Sequence, residues 1–246
     1  MLPSLSCLLA ALAAASTIRT RPFYGRRALL LTPVVSLALA AGPAEAANPV
    51  KQGMAAFAED RITDAIALYD SVIAENPAYK PYLWQRGLAL YYADRFADGA
   101  DQFATDVAVN PNDTEEQIWH LLCLAQIKEG GLAAARPFKL TVGIDRRPVM
   151  RAAQKLFLSG GSEDERALAA LASDAASDPG ARFYASLYLS LYHESNGEKR
   201  AAEMRMREAV ATAYAKGGGR SDPMVELAKV AMKRRGWEQG GEKTEL

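Results

Sequence analysis

The sequence predicts an all-α fold of stacked helical hairpins, an α-solenoid of about three to four helix pairs finished by a C-terminal helix. A repeat is the first reason. Residues 53–77 recur 34 positions later as residues 87–111. The match has eight identities in 25 positions: Gly53/Gly87, Ala55/Ala89, Asp60/Asp94, Arg61/Arg95, Asp64/Asp98, Ala74/Ala108, Asn76/Asn110 and Pro77/Pro111. Tyr69 against Phe103 and Phe57 against Tyr91 keep the aromatic character. The second reason is periodicity: Ala and Leu dominate, aromatics fall at helical spacings, and the period-two alternation of a half-buried strand is rare. The third is punctuation, because Asn-Pro, Asn-Gly and Gly-Gly pairs stand where hairpins must turn or end.

Each element follows from local signals. The first repeat predicts helices over 50–58 and 62–75, and the second over 82–93 and 96–109. Asp60-Arg61 and Asp94-Arg95 fall in the turn inside each pair. Asn76-Pro77 and Asn110-Pro111 separate the pairs, since proline lacks the N–H and disfavours helix in the residue before it. Gly53, Ala65, Tyr69 and Pro77 define the first repeat; Gly87, Gly99, Phe103 and Pro111 define the second. Asp113-Thr114-Glu115-Glu116 is a capping-box start for a helix over 115–128, ended by Gly130-Gly131. Over 132–142, Ala134 and Phe138 lie 35 residues beyond Gly99 and Phe103, so one residue is inserted. Pro137 predicts a kinked or shortened helix there. From 148 to 176 the period is lost, and helices are expected over 149–158 and 163–174, the second opened by Ser162-x-x-Glu165. A fourth pair returns over 181–195 and 199–214, with Asp178-Pro179 as cap and first helical residue and Asn196-Gly197 as the turn. Ser190, Ala202, Met206 and Ala209 keep the repeat's order of small and large residues. After Gly217-Gly218-Gly219, Ser221-Asp222-Pro223 starts a final helix over 223–235. Its Lys233-Arg234-Arg235 complements the helix dipole. Residues 238–246 read as a frayed tail.

A 34-residue period with Gly, small, aromatic and Pro at these offsets resembles a tetratricopeptide repeat. Further residues narrow the resemblance: Arg86-Gly87-Leu88-Ala89-Leu90-Tyr91-Tyr92, Asn110-Pro111-Asn112-Asp113, Ile118-Trp119, and Phe183-Tyr184 through Leu191-Tyr192. From about Gly53 to Ala215 the chain resembles the NlpI type of tetratricopeptide lipoprotein, nearest to its chloroplast-targeted plant and algal members. That resemblance implies an adaptor for proteases and cell-wall hydrolases, with no catalytic residue to carry over. The chain departs from the family in lacking a usable lipid box, since Cys7 precedes its apolar run, and in having fewer repeats before Gly87. Outer-membrane anchoring and an N-terminal dimer contact are therefore not carried over.

Residues 1–46 stand apart from this fold. They hold one carboxylate, four arginines and two apolar runs, 7–15 and 28–41. Arg26-Arg27, the second run and Ala44-Glu45-Ala46 make a secretory-type signal, with cleavage expected between Ala46 and Ala47. The run is too short for a transmembrane helix, and Pro33 interrupts it. The paired arginines resemble a twin-arginine signal, with a Sec-type signal equally open. An export signal placed behind an earlier apolar run and an acid-free Arg/Thr stretch resembles the multipartite presequence of a thylakoid-lumen protein. The alternative is a bacterial periplasmic or secreted protein. The domain layout is thus a removed presequence (1–46), a helical domain (47–237) and the tail.

Residues 47–246 carry 25 basic and 28 acidic residues, a net charge of −3. This balance gives no electrostatic footprint for nucleic acid. One cysteine remains, Cys123, so packing and not a disulfide must hold the domain together. As nucleophile or ligand candidates beyond carboxylates, residues 47–246 offer His120, His193 and Cys123. His120 and Cys123 share a helix face at i, i+3 but make only two of the three or four ligands that zinc needs. They read as packing residues, and His193 as a core or interface histidine. Asp and Glu read as caps, turns or i, i+4 pairs such as Glu203 with Arg207, and the basic 199–207 stretch as a solvated, paired face. Gly217-Gly218-Gly219-Arg220 follows no strand and lacks a P-loop lysine, so it reads as a linker. No cofactor, metal or catalytic residue is expected.

In tetratricopeptide stacks the first helix of each pair lines the concave face. Trp84 and Trp119 occupy equivalent first-helix places, and Leu88 and Tyr91 follow Trp84 on the same stripe. These four residues are the candidate partner-binding groove, provided the helices over 149–174 do not fold back and cover it. The sequence thus points to a non-catalytic protein-binding adaptor or assembly factor in the thylakoid lumen. A periplasmic adaptor of a protease or hydrolase and a structural subunit of a lumenal complex are the alternatives.

Overall fold

A computed structural model describes residues 48–219 and 221–238; the presequence, its Ala44, Ala46 and Ala47 processing site, and most of the tail lie outside them. The described residues form helices joined by turns and irregular segments, with no strand among them. No helix among them is long and apolar enough to cross a membrane.

The first two pairs are α1 (Pro49–Ala58) with α2 (Ile62–Glu75), and α3 (Trp84–Tyr92) with α4 (Phe96–Val109). α1 starts on the Asn48 side chain, which accepts the Val50 N–H at 2.9 Å, with Pro49 at the first helical position. α1 and α3 end alike. Asp60 (φ 65°) and Asp94 (φ 58°) take the left-handed conformation. The next N–H then reaches back to the helix, Arg61 to the Ala56 carbonyl at 2.8 Å and Arg95 to the Leu90 carbonyl at 2.9 Å. Aspartate tolerates this region better than most non-glycine residues, so an identical Asp-Arg gives an identical turn. Between the pairs Pro77–Tyr82 form a 3-10 turn started by the Asn76 side chain. α3 therefore begins at Trp84, and Tyr82 belongs to the connection.

The repeat is physical as well as textual. A Cβ on Gly53 would stand 2.6 Å from the Tyr69 ring, and one on Gly87 2.5 Å from the Phe103 ring. Each glycine lets the second helix's aromatic lie flat on its own first helix. The close neighbour of Gly87 is thus Phe103 within the pair, not another first helix. Ala65 is fully buried, and a Cβ on Gly99, its repeat equivalent, would meet the Cys123 sulfur at 2.9 Å. Gly87→Leu is expected to cost on the order of 1–3 kcal/mol, because Phe103 is enclosed and cannot swing away. The measurement is the urea midpoint; an unchanged midpoint would refute this joint.

α5 (Thr114–Ile127) starts on Asp113, whose Oδ1 accepts the Glu115 and Glu116 N–H groups at 2.9 and 3.4 Å. It is buried on nearly every side and packs against α3, α4, α6 (Gly131–Ala135), α7 (Pro148–Ser159) and α9 (Pro179–Ser195). α6 is the shortened helix that Pro137 predicts: it stops at Ala135, continues as a 3-10 turn to Phe138, and yields to an irregular segment up to Arg147. α8 (Ser162–Ser173) packs on α7 and α9. Ser162 lies inside α8 instead of capping it; the preceding residue is Gly161, whose N–H goes to Ser159 Oγ at 3.0 Å.

α9 is the second central helix, with every residue from Ala185 to His193 buried. Asp178 caps it through the Gly180 and Ala181 N–H groups, as its Asp-Pro start predicts. α10 (Lys199–Ala211) lies against it, close enough for Ser190 Oγ to donate to the Ala202 carbonyl at 2.6 Å. α10 ends at Ala211, earlier than its pattern suggests, and a π-helical turn at Tyr214–Gly218 follows. α11 (Pro223–Arg234), capped by Asp222, packs on α10 and also on α1. Arg234 and Lys233 reach Asp60 at 2.9 and 3.4 Å, and Arg235 reaches Glu194. The last helix therefore touches the first, and seven of its twelve residues are buried.

Candidate functional site

The predicted stripe is brought together, but not at the surface. Leu88, Tyr91 and Trp119 are buried and Trp84 is half-buried. Tyr91 meets the Trp119 ring edge-on at 5.3 Å between centroids, and Phe103 lies nearly parallel to it at 6.4 Å. The stripe is thus the joint between the α3–α4 pair and α5. These three residues are core, which corrects their assignment as an open groove. The cover also differs from expectation. α7 lies on α5, whereas α8 lies on α7 and α9, and the enclosing rings come from α3 and α4 themselves.

Cys123, His120 and His193 are all buried. Cys123 is fully buried, and burial pushes its thiol well above the usual range, so the reactive thiolate is not formed. Burial also lowers His120, whose Nδ1 has no hydrogen-bond partner among the described residues. His193 joins two helix ends, Nδ1 to Glu198 at 2.6 Å and Nε2 to Glu165 at 3.7 Å. No group of three His, Cys, Asp or Glu among the described residues has the geometry of a metal site. On α10, Arg207 pairs with Glu203 and Arg205 with Glu208, the solvated paired face that the sequence predicts. Gly219 lies against the Tyr214 ring, so the glycine run makes room for an aromatic.

Two acids contradict the reading of every carboxylate as cap, turn or surface pair. Asp106 and Glu116 are buried, each with one oxygen lacking a partner among the described residues. Desolvation pushes Asp106 up to about 8 and Glu116 up to about 10. Gln102 donates to Asp106 at 3.0 Å and to the Lys80 carbonyl at 2.8 Å, while Arg86 donates to Gln102 and to Asp70.

Sequence reasoning missed one polar cluster altogether. The starts of α5, α7 and α11 meet the second turn of α9. Arg147, before α7, grips Asp145 in a fork at 3.1 and 2.8 Å and touches Glu115 of α5 at 3.2 Å. Its guanidinium stands 5.6 Å from the Tyr184 ring centroid. The Tyr184 and Tyr214 hydroxyls both donate to Asp222 Oδ2 at 2.8 Å, while Asp222 Oδ1 caps α11. Tyr188 stacks on Tyr184 at 6.4 Å, fully buried, its hydroxyl without a partner among the described residues. Helix N-termini favour these carboxylates electrostatically, yet desolvation still pushes Glu115 up to about 7. The caps Asp113 and Asp222 are visible in the sequence; their convergence is a long-range outcome that no local signal carries. No protein-family model matches this chain, and no curated protein matches it.

Proposed function

We propose that the chain is a non-catalytic protein-binding adaptor or assembly factor on a tetratricopeptide-type scaffold, working in the thylakoid lumen after residues 1–46 are removed. One observation carries this reading. The same Gly-on-aromatic joint is built twice at the repeat spacing, Gly53 on Tyr69 and Gly87 on Phe103, within a stack of helix pairs. Such repeats present a preformed surface that holds another protein without chemistry. The burial of Cys123 and His120 supports the non-catalytic part. Because the aromatic stripe is core, the partner surface lies elsewhere. Exposed apolar residues mark one candidate: Phe138 and Ile144, the latter 83 % exposed, on the segment joining α6 to α7. The periplasmic alternative, an adaptor of a protease or hydrolase, rests on the NlpI-type resemblance and uses the same surfaces. The test is affinity purification of the tagged chain from its native compartment. A protein that co-purifies and re-forms the complex from isolated components is the expected result. A chain recovered alone under gentle conditions would overturn the reading.

A further inference from the structure

The segment from Lys139 to Asp145 joins α6 to α7 without helix, turn or bend. Its backbone is polyproline-like at Lys139 (φ −55°, ψ 139°) and again extended at Arg147 (φ −77°, ψ 120°). Its middle is fastened at two points. The Gly143 N–H donates to the Pro111 carbonyl at 2.7 Å, and the Leu140 carbonyl accepts from Gln117 Nε2. The backbone N–H and C=O groups of Thr141, Val142 and Ile144 make no hydrogen bond among the described residues. Successive residues of a straight segment turn these groups to opposite sides, so one held inward at Gly143 offers Val142 and Ile144 outward. An edge of this kind is a template for a further strand and needs no cavity.

The side chains suit the same use. Leu140, Val142 and Ile144 are the alternate apolar positions of a strand, and two of them are β-branched. Leu140 and Val142 are half-buried, whereas Ile144 is exposed, as is Phe138 where the segment begins. The charge is one-sided. Residues 128–151 hold six basic and two acidic residues, a net +4 within a domain of net charge −3. Arg147 takes Asp145, and Arg151 donates to the Asp145 and Arg146 carbonyls. Lys128 lies 3.7 Å over the Phe138 ring. Lys128, Lys139 and Arg146 have no carboxylate partner among the described residues.

These features select the occupant. A lipid surface would use the cations and Ile144 but leave the main-chain groups unpaired. A second copy of the segment would bring the same basic charge against itself. An extended acidic segment with alternate apolar residues uses the backbone, the apolar positions and the charge together.

We propose that residues 138–146 are a docking edge for an extended, acidic segment of the protein partner. That segment lies alongside Thr141–Ile144 as an added strand, covers Phe138 and Ile144 with apolar side chains, and sets carboxylates against Lys139 and Arg146. The proposal rests on the adaptor reading and gives its partner surface a chemistry.

The probe is the peptide acetyl-Val-Glu-Val-Glu-Val-Glu amide, titrated into the chain and followed by NMR. Saturable binding is expected, with the largest shifts at the Thr141, Val142 and Ile144 amides. The same peptide N-methylated at its glutamates, and a Lys-for-Glu peptide, are each expected to bind at least about tenfold more weakly, since the first loses main-chain pairing and the second the charge match. The double variant Lys139→Glu, Ile144→Asp changes two exposed residues and is expected to melt like the unaltered chain and to lose at least about tenfold in affinity. Absence of saturable binding to the folded, unaltered chain would overturn the edge. So would equal binding of the N-methylated peptide, or equal binding by the double variant. Binding to phosphatidylglycerol vesicles without binding to the peptide would assign the patch to a lipid surface. Peptide binding that appears only after residues 239–246 are deleted would make this chain's own tail the occupant; either result overturns the proposal. The adaptor reading fails separately. A captured partner whose affinity is unchanged in the double variant keeps the adaptor and removes the edge, whereas peptide binding without any captured partner keeps the edge and removes the adaptor.

Discussion

Trp119→Ala is expected to destabilise the domain by about 3–5 kcal/mol, the range for emptying a large aromatic site in a core. For a domain of this size that lowers Tm by roughly 6–20 °C. The cost arises because three elements lean on one ring. Tyr91 of α3 packs edge-on to it, Phe103 of α4 stacks on it, and α7 lies on its own helix. Phe103 in turn presses on Gly87, so a hole at Trp119 loosens the joint that the repeat builds. Trp84→Ala is the internal comparison. Half-buried and outside this ring cluster, it is expected to cost about 1–2 kcal/mol. Thermal melts of the two variants decide the matter without any partner in hand. A Trp119→Ala chain that melts like the unaltered one would return the stripe to the surface as a binding groove.

What the sequence made legible was whatever depends on neighbours in the chain. Asn-Pro, Asp-Arg and Asp-Pro fix helix ends through backbone geometry and caps, so α1, α2, α4, α5 and α9 begin and end within a residue or two of expectation. What stayed hidden depends on which faces meet. Trp119 lies on a helix enclosed by five others, and helical spacing alone does not distinguish a concave face from a joint. The return of α11 to α1 was equally hidden, since Arg234 and Asp60 stand 174 residues apart. Asp106 left a trace that local reasoning passed over. Its repeat equivalent is Val72, so an acid occupies a position that the first repeat fills with a partly buried apolar residue. A carboxylate in an apolar repeat position is a readable sign of a buried ionisable group. The convergence of Glu115, Arg147, Tyr184 and Asp222 left no comparable trace, because each is unremarkable on its own helix.

Those buried acids give the second large effect, a domain that grows less stable as pH rises. Asp106 ionises near 8 and Glu116 near 10 in the fold, against about 4 for either in an unfolded chain. Between those values the folded state holds protons that the unfolded state has released, so stability falls with rising pH across the window. Stability from this source is complete in acid, declines from about pH 4 upward and levels off above the folded values. Desolvation by burial sets the sign, and the charges around the pair modify its size. Asp113 and Glu115 face Glu116 with further negative charge, while Lys80 and Arg86 offset only part of the cost at Asp106, through Gln102 and at a distance. Asp145, held below the usual carboxylate range by Arg147, acts oppositely but only at lower pH, outside this window. The expected outcome is a Tm that is highest in mild acid and drops toward pH 8, with a loss on the order of a few kcal/mol. Asp106→Asn and Glu116→Gln keep the shape and cannot ionise. Each is expected to flatten the slope and to raise stability at pH 8 while changing little at pH 5. Urea titrations at the two pH values measure this directly. A slope that survives both substitutions would place the pH dependence on other groups, with Glu115, pushed up to about 7, the next to test.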